Sequence, residues 1–527
     1  MPRLRINGSD VEAVAGATLL DLARGLGVEI PTLCHLPGRP SYTSCMVCVV
    51  RDRATGAFYP ACSAPARDGM DIVTDTPEVA EARRVALELL LSDHPADCEG
   101  PCRRSCPAGM EIPRMLRQIA AGDFAAALQT VKRDIPLPAI LGRICPAPCE
   151  RGCRRREADA AVSICLLKRF VADEDLSRPQ PYLPEPSSPS GRSVLVAGAG
   201  PAGLSAAWYL ALAGHRVTVM DPGSTPGGAL VTHVPTDRLP RDVVAVEVAV
   251  LRLLGIAFQC GVALGRDLSL PEALTRYDAI VLAIGPREGW RTPQSMPRAS
   301  ERGFVVDRLS GRTEQDRVFA CGSAVSPSRM AVRALADGKT VAYAVDAMLR
   351  GEPTARPRRF DSRLGRLRAG ELAEFMKGAS SRGRRDPVGG LPLGFRADEA
   401  RAEAERCLHC DCGKRKDCRL RDCADRYRAR QQRFAGDHRR PVRIVRDHAE
   451  IVYEPGKCIS CGICVRLAEE YGEALGLAFI GRGFDVKVEA PFQASCAAGL
   501  RRAARACADA CPTGALRRRD ALEPREP

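Results

Sequence analysis

Ser193-Val-Leu-Val-Ala197, followed by Gly198-Ala-Gly200-Pro-Ala-Gly203-Leu204, reads as a buried strand, a glycine loop and the start of a helix running to Ala213. A second strand, Arg216-Val-Thr-Val-Met220, comes next and ends in Asp221. Glycines at 198, 200 and 203, with Pro201 and Ala202 between them, let backbone amides and the helix N-terminus approach a pyrophosphate; an acid after the second strand suits ribose hydroxyls. A glycine triplet alone is weak, but set between strand and helix it predicts a Rossmann-like unit. Residues 177–192, dense in Ser and Pro, read as the linker that precedes it.

The other strong pattern is cysteine. There are 24 in 527 residues, and 22 of them fall in four groups: four in 34–62, seven in 98–165, five in 407–423 and six in 458–511. Only Cys260 and Cys321 stand apart, and both read as ordinary core thiols. Met1-Pro2-Arg3-Leu4-Arg5-Ile6 has no apolar leader core, so a cytoplasmic chain with reduced thiols is expected, and grouped thiols there point to metal rather than disulfides. No run of about 18 apolar residues occurs, so no membrane insertion is expected. The formal charge of +14 counts every thiol as neutral. Thiolate clusters carry roughly −2 each, so five would remove about ten charges and leave the chain mildly basic, with no nucleic-acid site expected.

Residues 1–78 open strand, strand, helix, then place Cys34, Cys45, Cys48 and Cys62 with three ligands in tight loops and one distant. That pattern suits a [2Fe–2S] core on a β-grasp ferredoxin domain. Ile30-Pro-Thr-Leu-Cys34-His35 and Ser44-Cys45-Met-Val-Cys48 resemble the N-terminal ferredoxin-like domain of the complex I large peripheral subunit and of iron-only hydrogenases.

Residues 79–176 look helical. Pro101-Cys102-Arg-Arg-Ser-Cys106-Pro and Gly142-Arg-Ile-Cys145-Pro-Ala-Pro-Cys149-Glu150 resemble the two-cluster domain of the glutamate synthase small subunit and dihydropyrimidine dehydrogenase. The resemblance implies two [4Fe–4S] clusters, one on Cys98, Cys102 and Cys153, the other on Cys106, Cys145 and Cys149. The family's outermost cysteine is missing, and His94 stands near its place as the expected fourth ligand of the first cluster. The family's non-cysteine ligand position of the second falls on Lys168; Cys165, three residues earlier and on the same helical face, is the expected ligand instead.

The Rossmann-like unit (193–350) is similar to the FAD domain of the same enzymes, through Pro226-Gly227-Gly228, Asp237-Arg238-Leu239-Pro240, Tyr277 to Gly285 and Arg317-Val-Phe-Ala-Cys-Gly322. The resemblance implies FAD, bound near Gly228, Arg238, Leu239, Gly285, Gly322 and Ser323. Ser323 replaces the family's Asp. Only the 17 residues 286–302 bridge Gly285 and the strand at 303, where relatives insert a whole NAD(P)H-binding domain, so none is expected here.

Residues 351–445 are Arg-rich and punctuated by Gly and Pro, and are expected to wrap other domains. Cys407-Leu-His-Cys410-Asp-Cys412-x5-Cys418 within them reads as a further metal site, iron–sulfur preferred over zinc, with Cys423 spare. Residues 446–527 resemble a bacterial two-cluster ferredoxin with one half eroded: Cys458, Cys461, Cys464 and Cys511 remain, whereas the other site has Ala468, Arg501, Ala504 and Cys507.

The expectation is a multidomain chain of mixed α+β and α/β class, made of a β-grasp ferredoxin, a helical two-cluster domain, a Rossmann-like FAD domain and a bacterial-ferredoxin-like C-terminal domain. It would carry one FAD, one [2Fe–2S] and about four [4Fe–4S] clusters. The resemblances imply an electron-relaying subunit working with an NADH-oxidising flavin module, a ferredoxin, or a hydrogenase- or molybdopterin-type catalytic subunit. The alternatives are an autonomous FAD-dependent reductase of a small substrate and a structural bridge with a relic flavin site.

Overall fold

The computed structural model describes residues 1–286, 295–354, 360–436 and 439–519. Residues 287–294 of the bridge at 286–302 therefore lie outside the described residues. Contacts divide the chain into two compact units: residues 1–99, 358–378 and 410–527, and residues 100–357 with 379–409. Six segments were expected from sequence. Residues 351–445 alternate between the two, 351–357 and 379–409 going to the second unit and 358–378 and 410–445 to the first.

The first unit begins with a five-stranded sheet of order β2-β1-β5-β3-β4. It comprises β1 (Arg3–Ile6), β2 (Ser9–Glu12), β3 (Val49–Asp52), β4 (Phe58–Pro60) and β5 (Asp71–Val73). β1 runs parallel to β5, and the other pairings are antiparallel. Helix α1 (Leu19–Gly25) is started by a reciprocal cap between Thr18 and Asp21 and buries Leu19, Leu20 and Ala23 against the sheet. The strand, strand, helix opening is as expected, and the loop between α1 and β3 carries three of the four cysteines of this stretch. Helix α2 (Pro77–Leu91) follows, capped by Thr76.

The second unit starts with short helices α3 (Pro101–Ser105), α4 (Ile112–Ala121), α5 (Phe124–Lys132), α6 (Pro138–Ile144) and α7 (Pro148–Arg151), then α8 (Ile164–Leu176). Gly142 lets α6 lie directly on α8: a β-carbon there would stand 2.4 Å from Cβ of Arg169. Beyond them a parallel sheet of order β12-β9-β6-β7-β8 forms from β6 (Ser193–Ala197), β7 (Arg216–Asp221), β8 (Ala257–Cys260), β9 (Ala279–Leu282) and β12 (Val318–Ala320). Its crossover helices include α9 (Pro201–Leu212), α11 (Arg241–Leu253) and α12 (Leu270–Arg276), with the single turn α10 (Ala229–Thr232) between α9 and α11. The ribbon β10 (Ala299–Ser300) and β11 (Gly303–Phe304) precedes β12. Helix α13 (Ala331–Arg350) packs on α9 with its Gly338 against the backbone of Ala202, where a β-carbon would stand 2.1 Å from that carbonyl oxygen. The 379–409 stretch is held to this unit by buried guanidiniums: Arg406 donates to Asp159, Glu403 and the Ala160 carbonyl, and Arg155 to Asp159 and the Ser380 carbonyl.

The first unit resumes with α14 (Glu371–Met376), α16 (Arg419–Arg426) and a small ferredoxin-like body, while α15 (Ala397–Ala404) belongs to the second. That body pairs β13 (Ile451–Tyr453) with β16 (Leu516–Arg518), and β14 (Ala478–Ile480) with β15 (Lys487–Glu489). Helix α17 (Ile463–Glu470) and α19 (Ala504–Ala510) cover it, with α18 (Cys496–Gly499) between them in sequence. The place of the eroded half is solid core: Ala468, Leu500, Ala503, Ala504 and Cys507 are all buried together. Among the described residues, no helix is long and apolar enough to cross a membrane.

Candidate functional site

In the β-grasp body Cys34, Cys45, Cys48 and Cys62 are all buried and face one another. Hydrogen bonds from Cys45 and Cys62 draw the Cys34 thiol down, and the bond from Cys62 lowers Cys48. The same contacts push Cys45 and Cys62 up. Four buried thiols grouped this way could hold a cation or a cluster.

In the ferredoxin-like body Cys458, Cys461, Cys464 and Cys511 surround one small apolar hollow, lined also by Tyr453, Val488 and Leu516. Burial raises Cys458 to about 11 and Cys461 to about 12, which is the cost of a bare thiolate there. Cys496 and Cys507 stand outside this hollow; the Cys507 thiol donates to the Cys464 carbonyl.

In the second unit Cys106, Cys145, Cys149 and Cys165 converge on Lys168. Burial alone would lower that ammonium's pKa, yet the four cysteines together raise it. Cys145 and Cys165 hydrogen-bond each other, which lowers Cys145 to about 7 and raises Cys165. The Cys165 amide donates to Glu150 at 2.9 Å and its thiol to the Leu141 carbonyl at 3.4 Å, which fixes the residue on the face toward α6. Cys102, Cys153 and Cys407 also lie in this unit, and burial pushes the Cys153 thiol up.

His94 and Cys98 lie in the first unit. The charged groups facing His94 are Lys457, Glu454 and Arg440, and burial first of all lowers its pKa to about 3, so the ring is neutral. Cys98 lies beside Cys412, whose amide points at the Cys98 carbonyl at 3.4 Å. Cys410, Cys418 and Cys423 share this unit; Cys423 is buried in its core. Among the described residues no three His, Cys, Asp or Glu side chains close tightly enough to chelate a single ion.

At the Rossmann-like edge the glycines are required by space. A β-carbon at Gly198 would stand 2.3 Å from the Ala283 carbonyl oxygen, and one at Gly203 1.9 Å from that of Gly198. Gly200 faces open space at the start of α9, with Pro201 in its first turn, so the loop and helix end form an uncrowded cradle. Asp221 accepts from the Ala199 amide at 2.6 Å and the Gly223 amide at 2.8 Å, bracing the loop. Gly228 stacks on Gly200, where a β-carbon would stand 2.9 Å from its Cα, and Gly322 closes on Ala202. Arg238 donates to the Ile144 carbonyl beside Cys145, Leu239 is fully buried, and Gly285 turns the chain after β9 with φ +79°. The Ser323 hydroxyl donates to the Ser328 carbonyl at 3.2 Å. Sequence reading missed Glu247, a wholly buried carboxylate accepting from the Ala139 and Ile140 amides at 2.8 and 2.9 Å. Its only signal is a charge on the apolar side of α11.

The chain thus carries grouped thiols in both units and, in the second, a glycine loop between strand and helix at the edge of a parallel sheet. Residues 2–77 match the family of 2Fe-2S iron-sulfur cluster binding domains. Residues 79–179 match dihydropyrimidine dehydrogenase domain II, 4Fe-4S cluster, and 196–253 the NAD(P)-binding Rossmann-like domains. Over 206 residues the chain is 34% identical to the NADP(+)-dependent formate dehydrogenase subunit beta of Moorella thermoacetica, covering 35% of this chain and 29% of that protein. Over 221 residues it is 33% identical to the NAD-dependent dihydropyrimidine dehydrogenase subunit PreT of Salmonella typhimurium, covering 41% and 53%. The chain thus spans between about three tenths and half the length of these curated relatives. Among solved structures, an NAD+-reducing [NiFe]-hydrogenase in the H2-reduced state aligns over 98% of this chain and 87% of that one, at 12% identity and a TM-score of 0.35.

Proposed function

We propose that the chain is an electron-transfer subunit of a cytoplasmic redox assembly, relaying electrons between FAD on the Rossmann-like unit and its iron–sulfur sites. The observation that carries this reading is the succession of thiol sets within the first unit. Cys34 of the β-grasp set stands close enough to Cys461 of the ferredoxin-like set to raise its thiol further. Single-electron carriers set side by side serve relay rather than structure. Cys34, Cys45, Cys48 and Cys62 would hold a [2Fe–2S] core, Cys458, Cys461, Cys464 and Cys511 one [4Fe–4S], and Cys106, Cys145, Cys149 and Cys165 another. A bound flavin supplies two-electron chemistry, which the clusters split into single steps. The chain's own part is to cradle the pyrophosphate on Gly198–Gly203 and α9, with Asp221 bracing that loop.

Partners follow from the same reading: a flavin module with its own NADH site, a ferredoxin, or a catalytic redox subunit. Hydride transfer needs the nicotinamide held against the flavin ring, and a 17-residue bridge cannot build a second dinucleotide domain. The full chain, purified anaerobically, is expected to be reduced slowly by NADH or NADPH and rapidly by dithionite or reduced ferredoxin. Fast, saturable bleaching by NADPH would overturn the relay reading in favour of an autonomous reductase.

A further inference from the structure

Cys98 is far in sequence from Cys412 and Cys418, and the pattern of motifs divides it from them into a different ligand set. All three lie in the first unit, each 7% exposed. The Cys412 amide meets the Cys98 carbonyl at 3.4 Å, and the Ser362 amide donates to the Cys98 sulfur, also at 3.4 Å. Cys418 caps the start of α16; three residues on, Arg421 reaches back to Glu99, the neighbour of Cys98, at 2.9 Å. The Cys412 sulfur is admitted by a glycine: a β-carbon at position 514 would stand 2.4 Å from it.

We propose that Cys98, Cys412 and Cys418 are ligands of one iron–sulfur cluster, a site of the first unit adjoining the Cys458, Cys461, Cys464 and Cys511 site.

The donor set is all thiol, and it is flanked by buried cations. Lys457 faces Cys412 and pairs with Glu454 at 2.6 Å; Arg421 faces Cys98. Three buried sulfurs with cations beside them suit an anionic cluster better than free thiols. The adjoining site is joined through 511–514. The Cys418 thiol points at the Pro512 carbonyl at 3.7 Å, next to Cys511, and Lys414 Nζ donates to the carbonyls of Ala508, Asp509 and Cys511 at 2.7, 3.0 and 2.6 Å. The chain has filled the eroded ferredoxin site with core, and on this proposal it gains a cluster neighbour on the Cys511 side instead. The proposal rests on the relay reading for its purpose but not for its existence.

The test is iron counting and electron paramagnetic resonance on the full chain, purified anaerobically, for Cys98→Ala, Cys418→Ala and the double variant. One shared cluster predicts that each single variant loses about four irons and the same resonance, and that the double variant loses no more. A loss of about eight irons in the double variant, or none in either single, overturns the proposal. Retention of the [2Fe–2S] spectrum reports that a variant has folded. If the cysteine variants fail to fold, Gly514→Ala keeps the thiols but crowds the Cys412 sulfur. It is expected to shift one [4Fe–4S] resonance while sparing the [2Fe–2S] spectrum, and an unchanged set of resonances overturns the proposal. Iron content is read whatever reduces the protein, so failure here is separable from failure of the relay reading.

Discussion

Tyr42 lies across Gly462, its ring carbon 2.3 Å from where a β-carbon at position 462 would stand. Gly462 also has φ +74°, next to the ligand candidate Cys461. Arg466 caps the other side of the ring at 3.8 Å from its centre, and Phe479 meets it edge-on at 6.0 Å. The loop that holds Cys34 and Cys45 is thereby docked onto the loop of the second thiol set. Gly462→Ala is expected to cost about 1–3 kcal/mol from the backbone conformation alone, and more from the ring contact. The check is the urea midpoint for loss of the [2Fe–2S] absorbance. Adding Tyr42→Ala should recover part of the loss; no recovery would mean the ring contact is not felt.

Lys168 is a buried cation amid four thiols, so it favours whichever cluster state carries more negative charge. Lys168→Met is expected to lower the reduction potential of the second-unit cluster on Cys106, Cys145, Cys149 and Cys165 by on the order of 100 mV, from a unit charge several ångströms away at an effective dielectric constant of about 20. A redox titration followed by electron paramagnetic resonance reads this directly. A potential unchanged, or raised, would place the ammonium away from the cluster. Lys168→Arg keeps the charge and should move the potential far less.

Glu247 gives a pH signature of known sign. Burial raises its pKa to about 7 against 4.5 in water, with the Ala139 and Ile140 amides working the other way. Between those two values the folded chain keeps a proton that the unfolded chain has lost. Stability therefore falls as pH rises from 4.5 to 7, by roughly 3 kcal/mol, and is flat above. Glu247→Gln should be less stable at pH 5, where one amide loses its acceptor, yet lack this slope. Urea midpoints by circular dichroism at pH 5, 6 and 8 decide it.

What could be read in the sequence was what is local or forced by backbone. Gly198 and Gly203 are required because any side chain collides with Ala283 or with the loop itself, and such positions announce themselves. The helical register that sets Cys165 on one face with Lys168 is likewise local, and that face lies toward α6. The four β-grasp cysteines fall within one short stretch between α1 and β5. The approach of Cys412 to Cys98 was not legible, because it joins backbone far apart in sequence, and Ser362, whose amide meets the Cys98 sulfur, carries no motif. Nor was the division into two units, since a polar segment such as 379–409 shows its affiliation through distant partners of Arg155 and Arg406 and a few buried residues such as Ala400 and Ala404.

His94 has the opposite pH signature to Glu247. Burial, then Lys457, lowers its pKa to about 3 from 6.5. The unfolded chain takes up a proton below pH 6.5 that the folded chain refuses, so the contribution is complete above 6.5 and is lost as pH falls toward 3. Between pH 6.5 and 5 the loss is roughly 2 kcal/mol. His94→Asn should shed most of that acid-side slope. A neutral ring is also the form that ligates iron, and the same position answers that question. If His94 is a ligand, His94→Cys should keep the cluster at a lower potential, since a thiolate replaces a neutral donor, while His94→Ala should lose or weaken it. Unchanged cluster spectra in both variants, with the acid-side slope still abolished, would leave His94 as a packed neutral ring beside Lys457 and Glu454 and no ligand.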